Sequence, residues 1–248
     1  MPPAKAETVS LYAAGSLKSA LTEVAKAYEA KSGDTVMAKF GPSGLLKNEI
    51  AAGAKADVFA SANMTHPHEL EKAGKSGPVT RFARNKLCVL VRPGLDVSTA
   101  TLLDHMLDGG VKLGTSTPKA DPSGDYAFEV FAKAEALKPG ARATLEGKAL
   151  TLTGAKDSAA PPAGRVVYGW HVAEGRADIF LTYCTNVLEA QAQYPGQQRV
   201  ELPDTLAVGA DYGLTEIAGA PAAARGLAAY ILSAEGQAIL GRYGFAPR

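Results

Sequence analysis

Three serines stand in loops of small residues where backbone N–H groups could meet an anion: Ala14-Gly15-Ser16, Gly41-Pro42-Ser43-Gly44 and Pro122-Ser123-Gly124. A serine that opens a helix offers a hydroxyl, the unpaired N–H groups of the first turn and the positive end of the helix dipole. Glycine beside it removes the Cβ that would hold a ligand away from the backbone. Two or three such ends acting together would bind an anion with neutral donors and no Lys or Arg. Taken singly, each serine reads first as a structural N-cap, since serine is among the commonest residues there. Other motifs fall short. His66-Pro67-His68 has no Cys or carboxylate cluster beside it and reads as a solvated loop, not a metal site. Gly74-Lys75-Ser76 imitates the end of a P-loop, but Glu69 holds the earlier glycine position. Gly41-Pro42-Ser43 imitates a nucleophile elbow, but Leu45 replaces its second glycine. No catalytic residue, cofactor or metal is therefore expected, and an enzyme is not.

The elements that must position these serines alternate along the chain. Strand-like runs at residues 8–13, 35–40, 56–61, 86–92, 111–114 and 177–183 are followed by stretches of helical period, which predicts an α/β chain with mostly parallel strands. One helix carries Leu17, Leu21, Val24, Ala25 and Tyr28 on a single face and closes at Ser32-Gly33. A second, with Leu45, Leu46 and Ile50 inward, follows Ser43, and a third, with Tyr126, Ala127, Val130, Phe131, Ala134 and Leu137, follows Ser123. A last helix is predicted over 222–240. In an open α/β sheet the loops ahead of such helices lie at the carboxyl ends of strands, where ligands bind.

Composition narrows the partners. The chain has 248 residues, with 26 Lys+Arg against 25 Asp+Glu, and this balance argues against nucleic acid or an acidic membrane surface as a partner. Apolar runs such as 87–91 are far shorter than the roughly 20 residues a membrane span needs. Cys88 and Cys184 fit either two buried thiols or one disulfide, and the thiols are the favoured reading.

The runs Leu11-Tyr12-Ala13-Ala14-Gly15-Ser16-Leu17, Phe40-Gly41-Pro42-Ser43-Gly44-Leu45 and Gly53 to Ala62 resemble the periplasmic molybdate-binding proteins of ABC importers. Pro122-Ser123-Gly124-Asp125-Tyr126-Ala127, Ala177 to Tyr183 and Arg242-Tyr243-Gly244-Phe245 extend the resemblance, in order, over nearly the whole chain. The resemblance implies a two-lobed periplasmic-binding-protein type II fold, each lobe a mixed, mostly parallel sheet flanked by helices, with the ligand in the cleft. It implies molybdate or tungstate as the ligand, a membrane permease as the partner, a monomer, and no catalysis. Carried over, Ser16 and Ser43 would donate hydroxyl and backbone N–H groups, the Ser123 loop a backbone N–H and Tyr183 its phenol, with one more amide near Gly164-Arg165. Lobe I is expected at residues 1–84 and 202–248 and lobe II at 85–201, joined near 86–92 and 199–208.

Three positions depart from the family pattern. Ser123 replaces a small apolar residue, Asn63 replaces an aspartate and is read as altering a local cap, and Arg165 would suit a carboxylate-bearing ligand. The alternative is accordingly a small organic polyanion, a di- or tricarboxylate, with Arg165 as a ligand. The opening Met1-Pro2-Pro3-Ala4-Lys5 shows no apolar leader, so the resemblance makes this a mature periplasmic form.

Overall fold

A computed structural model describes residues 6–247; Met1 to Lys5, read above for a leader, lie outside the described residues. In chain order the elements are β1 (Thr8–Ala14), α1 (Lys18–Ser32), β2 (Thr35–Gly41), α2 (Ser43–Ala51), β3 (Val58–Ser61), α3 (Thr65–Lys72), β4 (Thr80–Val91), α4 (Leu102–Leu107), β5 (Leu113–Ser116), α5 (Pro122–Leu137), α6 (Ala141–Lys148), β6 (Leu150–Thr153), α7 (Val167–Ala173), β7 (Ile179–Tyr183), α8 (Cys184–Gln193), β8 (Gln198–Glu201), β9 (Gly209–Glu216), α9 (Ala222–Leu232), α10 (Ala234–Arg242) and β10 (Ala246–Pro247). The chain divides into two compact units, one ending at Arg84 and resuming at Asp211, the other Asn85–Ala210. Strands β4 and β9 carry the chain from one to the other.

In the first unit the sheet runs β2-β1-β3-β9, with β1 parallel to β2 and β3, and β9 antiparallel to β3. All four residues of β3 are buried, as expected for a short strand covered on both faces. The α1 stripe read from sequence is buried throughout at Leu17, Leu21, Val24, Ala25 and Tyr28. Gly33 ends the helix in the left-handed conformation, φ 78°, and its N–H donates to the Glu29 carbonyl. Leu46, Ile50, Ala56, Phe59 and Leu70 form a core under α2 and α3.

In the second unit β8, β4, β7, β5 and β6 are neighbours in that order; β5, β6 and β7 are mutually parallel and β4 runs against β7. The two units thus repeat one topology. A central strand, β1 or β5, is flanked by the next parallel strand on one side and the one after that on the other, with an antiparallel strand beyond. That order places a switch point, where successive connections leave in opposite directions, at the carboxyl ends of β1 and β3 and again of β5 and β7.

Several expectations need correction. Residues 202–210 belong to the second unit, because Leu206 and Val208 are buried there and the Val208 carbonyl accepts the Leu87 N–H at 3.2 Å. The final helix breaks at Ser233, whose side chain accepts the Gly236 N–H at 3.2 Å and starts α10. Leu137, expected inward, is 44% exposed at the end of α5. His66-Pro67-His68 is not a loop: it forms the first turns of α3, with His66 and Pro67 buried. Cys88 and Cys184 are not thiols but a disulfide, Cα–Cα 4.7 Å, tying β4 to the start of α8.

Candidate functional site

The register of the first sheet sets two of the serines side by side. Ala14 and Gly41 are partners across β1 and β2, and Ser16 and Ser43 each stand two residues beyond them. Ser16 sits in the single 3-10 turn Gly15–Leu17 that precedes α1, half-buried, and its hydroxyl shares a 3.0 Å hydrogen bond with the phenol of Tyr212. Tyr212 lies on β9, fully buried, with Phe82 and Phe245 packed edge-on to its ring. A Cβ at Gly15 would meet nothing within 4 Å, so the backbone ahead of Ser16 is open to an approaching group. Ser43 is the first residue of α2 and only 1% exposed; its Oγ accepts the Ala62 N–H at 3.1 Å. That bond ties the end of β2 to the loop after β3, across the switch point. In that loop the Asn63 carbonyl oxygen accepts the His66 N–H at 3.0 Å and the Ser61 hydroxyl at 3.1 Å, one residue ahead of Met64 at the N-cap of α3.

The cap reading of the serines does not hold. Leu17, Pro42 and Asp121 occupy the N-cap positions of α1, α2 and α5, and none of the three serine hydroxyls accepts from its own helix. Instead the Ser16 hydroxyl pairs with Tyr212 and the Ser43 hydroxyl with the Ala62 N–H, while that of Ser123 has no partner among the described residues.

In the second unit Ser123 is the second residue of α5 and fully buried, and its Oγ has no hydrogen-bond partner among the described residues. Its N–H, expected to face an anion, donates instead to Asp121 Oδ1 at 3.1 Å, while the Gly124 N–H donates to the Asp121 carbonyl at 2.8 Å. Gly124 is required here: a Cβ would lie 2.5 Å from the Ser116 carbonyl oxygen, so the first turn of α5 presses directly on the backbone leaving β5. Burial pushes the Asp121 carboxyl up to about 6, opposed by the Ser123 N–H and Ser116 and reinforced by the nearby Asp125. Tyr183 ends β7, is 1% exposed, and sets its ring edge-on to Tyr126 of α5 at 6.3 Å between centroids. The Ser123 and Tyr183 loops are therefore neighbours at the second switch point. Arg165 is not drawn in with them. It is exposed on the stretch after β6, with its guanidinium 5.7 Å over the Tyr194 ring. The amide donor expected near it is also engaged, since the Arg165 N–H donates to the Pro162 carbonyl at 3.0 Å and the Val166 N–H to Gln193 Oε1 at 2.8 Å.

Two participants escaped the sequence reading. Tyr212 is 196 residues from Ser16, and no local pattern links them. Asp121 was in plain view as an N-cap type ahead of Pro122, and the three-residue rule for helix starts would have found it. One cluster resembles a metal site, with Cys88, Cys184 and Glu201 donor atoms within 4.8 Å, but its sulfurs are bonded to one another.

Neutral hydroxyls and amides at the carboxyl ends of parallel strands can bind an anion; neither Ser16 nor Ser43 bonds to a histidine that could activate it as a nucleophile. Comparison with known proteins is consistent with this chemistry. A Pasteurella multocida protein described as uncharacterized is 35% identical over 208 residues, 82% of this chain and 85% of its own. The molybdate-binding protein ModA of Mycobacterium tuberculosis is 26% identical over 250 residues, 99% of this chain and 87% of its own. Among solved structures, the periplasmic molybdate-binding protein of Azotobacter vinelandii matches with a TM-score of 0.77 at 20% identity, covering 97% of this chain and 99% of that one. The sulfate-binding protein SubI of M. tuberculosis matches at 0.77 and 18%, covering 97% and 87%, and PEB3 with bound L-phospholactate at 0.73 and 18%, covering 97% and 100%. At such identities the structures speak for the fold alone, and the fold they share is that of type II periplasmic binding proteins. The family description that matches residues 9–246 is that of the bacterial extracellular solute-binding proteins. With that match across nearly its whole length, the chain belongs to the bacterial extracellular solute-binding protein family, a family of substrate-binding components of ABC importers and not of enzymes.

Proposed function

We propose that this solute-binding protein captures molybdate or tungstate in the periplasm and delivers it to a membrane permease. The observation that carries the reading is the paired placement of Ser16 and Ser43 two residues past Ala14 and Gly41, with hydroxyls that cap no helix. The similarity to molybdate-binding ModA proteins supports molybdate among the oxyanions. A dianion leaving water needs several charge-assisted hydrogen bonds, each worth roughly 1.5–3 kcal/mol. Six or seven of them, less the cost of desolvation and ordering, correspond to affinities of about 8–12 kcal/mol, nanomolar to micromolar. In the first unit Ser16 and Ser43 would provide hydroxyl and N–H donors; in the second, the Ser123 loop and Tyr183 are proposed as donors of the same kind.

Calorimetric titration with molybdate, tungstate, sulfate, phosphate and citrate tests this. Tight binding of the first two is expected, and Ser16→Ala or Ser43→Ala should each weaken it by about 1–3 kcal/mol, because a buried charge loses a donor. Heat with citrate and none with molybdate or tungstate would transfer support to the organic-polyanion alternative and to Arg165, whose guanidinium now rests on Tyr194.

A further inference from the structure

The first turn of α5 already holds an anion of the chain's own. Asp121 Oδ1 accepts the Ser123 N–H at 3.1 Å, the same N–H that an oxyanion at this loop would need. The carboxyl is held there from two sides. Its backbone is pinned by the Gly124 N–H, which donates to the Asp121 carbonyl at 2.8 Å. Behind it, the backbone after β6 comes so close that a Cβ on Gly154, φ +88°, would sit 2.6 Å from the Asp121 Cβ. In the same turn the fully buried Ser123 Oγ has no partner among the described residues, so a donor remains for a group arriving there. Resting on the oxyanion reading above, we propose that Asp121 is a built-in competitor for the α5 N-terminus. Capture of a dianion then requires its carboxylate to leave the Ser123 N–H or to be neutralised by a proton.

The neighbours of Asp121 favour neutralisation. Asp125 on α5 repels it, Tyr168 on α7 faces it with a phenol that burial and Asp121 itself hold in the neutral form, Ser116 at the end of β5 offers only a hydroxyl, and the stretch after β6 presents Gly154. With its carboxyl already raised to about 6, a dianion bound beside it would raise it further, because two like charges at one site cannot both persist at little cost. Binding is then coupled to uptake of about one proton, and affinity falls as pH rises through about 6.

The test is calorimetry with molybdate and with sulfate at pH 5.5 and pH 8, in buffers of different ionisation heat, on the chain and on Asp121→Asn. Asparagine keeps the capping acceptor and removes the charge, and Asp121→Ser serves as a second uncharged cap should the first variant fold poorly. The expected result is about tenfold or greater weakening of the unsubstituted chain from pH 5.5 to pH 8 with uptake of about one proton, and variants that bind about tenfold tighter at pH 8 with little pH dependence or proton uptake. Variants that bind equally or more weakly at pH 8 overturn the competitor role and leave the oxyanion reading standing. Variants that bind molybdate where the unsubstituted chain refuses it at both pH values support competition while removing molybdate as the native ligand. Failure of every protein to bind either anion overturns both readings.

Discussion

The hydroxyl of Ser16 shows how much a single residue type leaves open. Its 3.0 Å bond to a fully buried Tyr212 fixes its rotamer, and the chemistry of the site depends on that orientation as much as on the serine itself. Asp121 shows the opposite case, a residue whose type suggests only a helix cap but whose burial turns it into a titrating group. Its ordinary value is 3.8, and in the folded chain it rises to about 6. Between those values the folded chain holds a proton that the unfolded chain has released, so the group favours folding at low pH and its contribution is lost as pH rises through about 6. Asp121→Asn should therefore raise stability relative to the unsubstituted chain at pH 8, by on the order of 1–3 kcal/mol, and by much less at pH 4. Urea unfolding of both proteins at the two pH values measures it. A difference between them that is the same at both would show that the carboxyl is not perturbed.

At the scale of elements, the serines are placed by close backbone contacts as well as by strand register. The α5 N-terminus can lie against the end of β5 only because residue 124 has no Cβ: one added there would approach the backbone of Ser116, Thr117 and Pro118 at 2.5–2.7 Å. Gly124→Ala should accordingly cost about 1–3 kcal/mol of stability and weaken oxyanion binding by shifting the loop. Gly147 lies in α6 with nothing within 4 Å of an added Cβ, so Gly147→Ala should be neutral or slightly stabilising. Thermal unfolding of the two variants side by side checks the contrast, and equal effects would mean the contact at Gly124 is relieved without cost. The elements that precede the three serines were legible because their apolar periods are regular. Helices α3, α7 and α8 and strand β9 were not, since α3 carries a Pro at its third position and β9 mixes Gly, Tyr and Thr in a run without clear alternation.

At the scale of the whole chain, the Cys88–Cys184 disulfide closes a loop of 96 residues that lies within the second unit. A cross-link of that span stabilises by restricting the unfolded chain, typically about 2–4 kcal/mol. Replacing both cysteines by alanine should lower the unfolding free energy by that order, as read by urea titration of the two proteins, and an unchanged midpoint would show that the link does not restrict the unfolded ensemble. The near-equal count of 26 basic and 25 acidic residues, the alternation of strands and helices, and the serine–glycine loops at strand ends are local properties. The sequence by itself therefore determined the α/β class and the placement of Ser16, Ser43 and Ser123 in the loops and first turns that follow strands. Only the tertiary structure decided that the cysteines are joined, that Tyr212 holds Ser16, that Asp121 occupies the Ser123 N–H and that Arg165 lies apart on Tyr194. Most of those pairings span tens to nearly two hundred residues, where no periodicity connects the partners. The one local pairing, Asp121 with Ser123, took its meaning from burial, which the chain acquires only on folding.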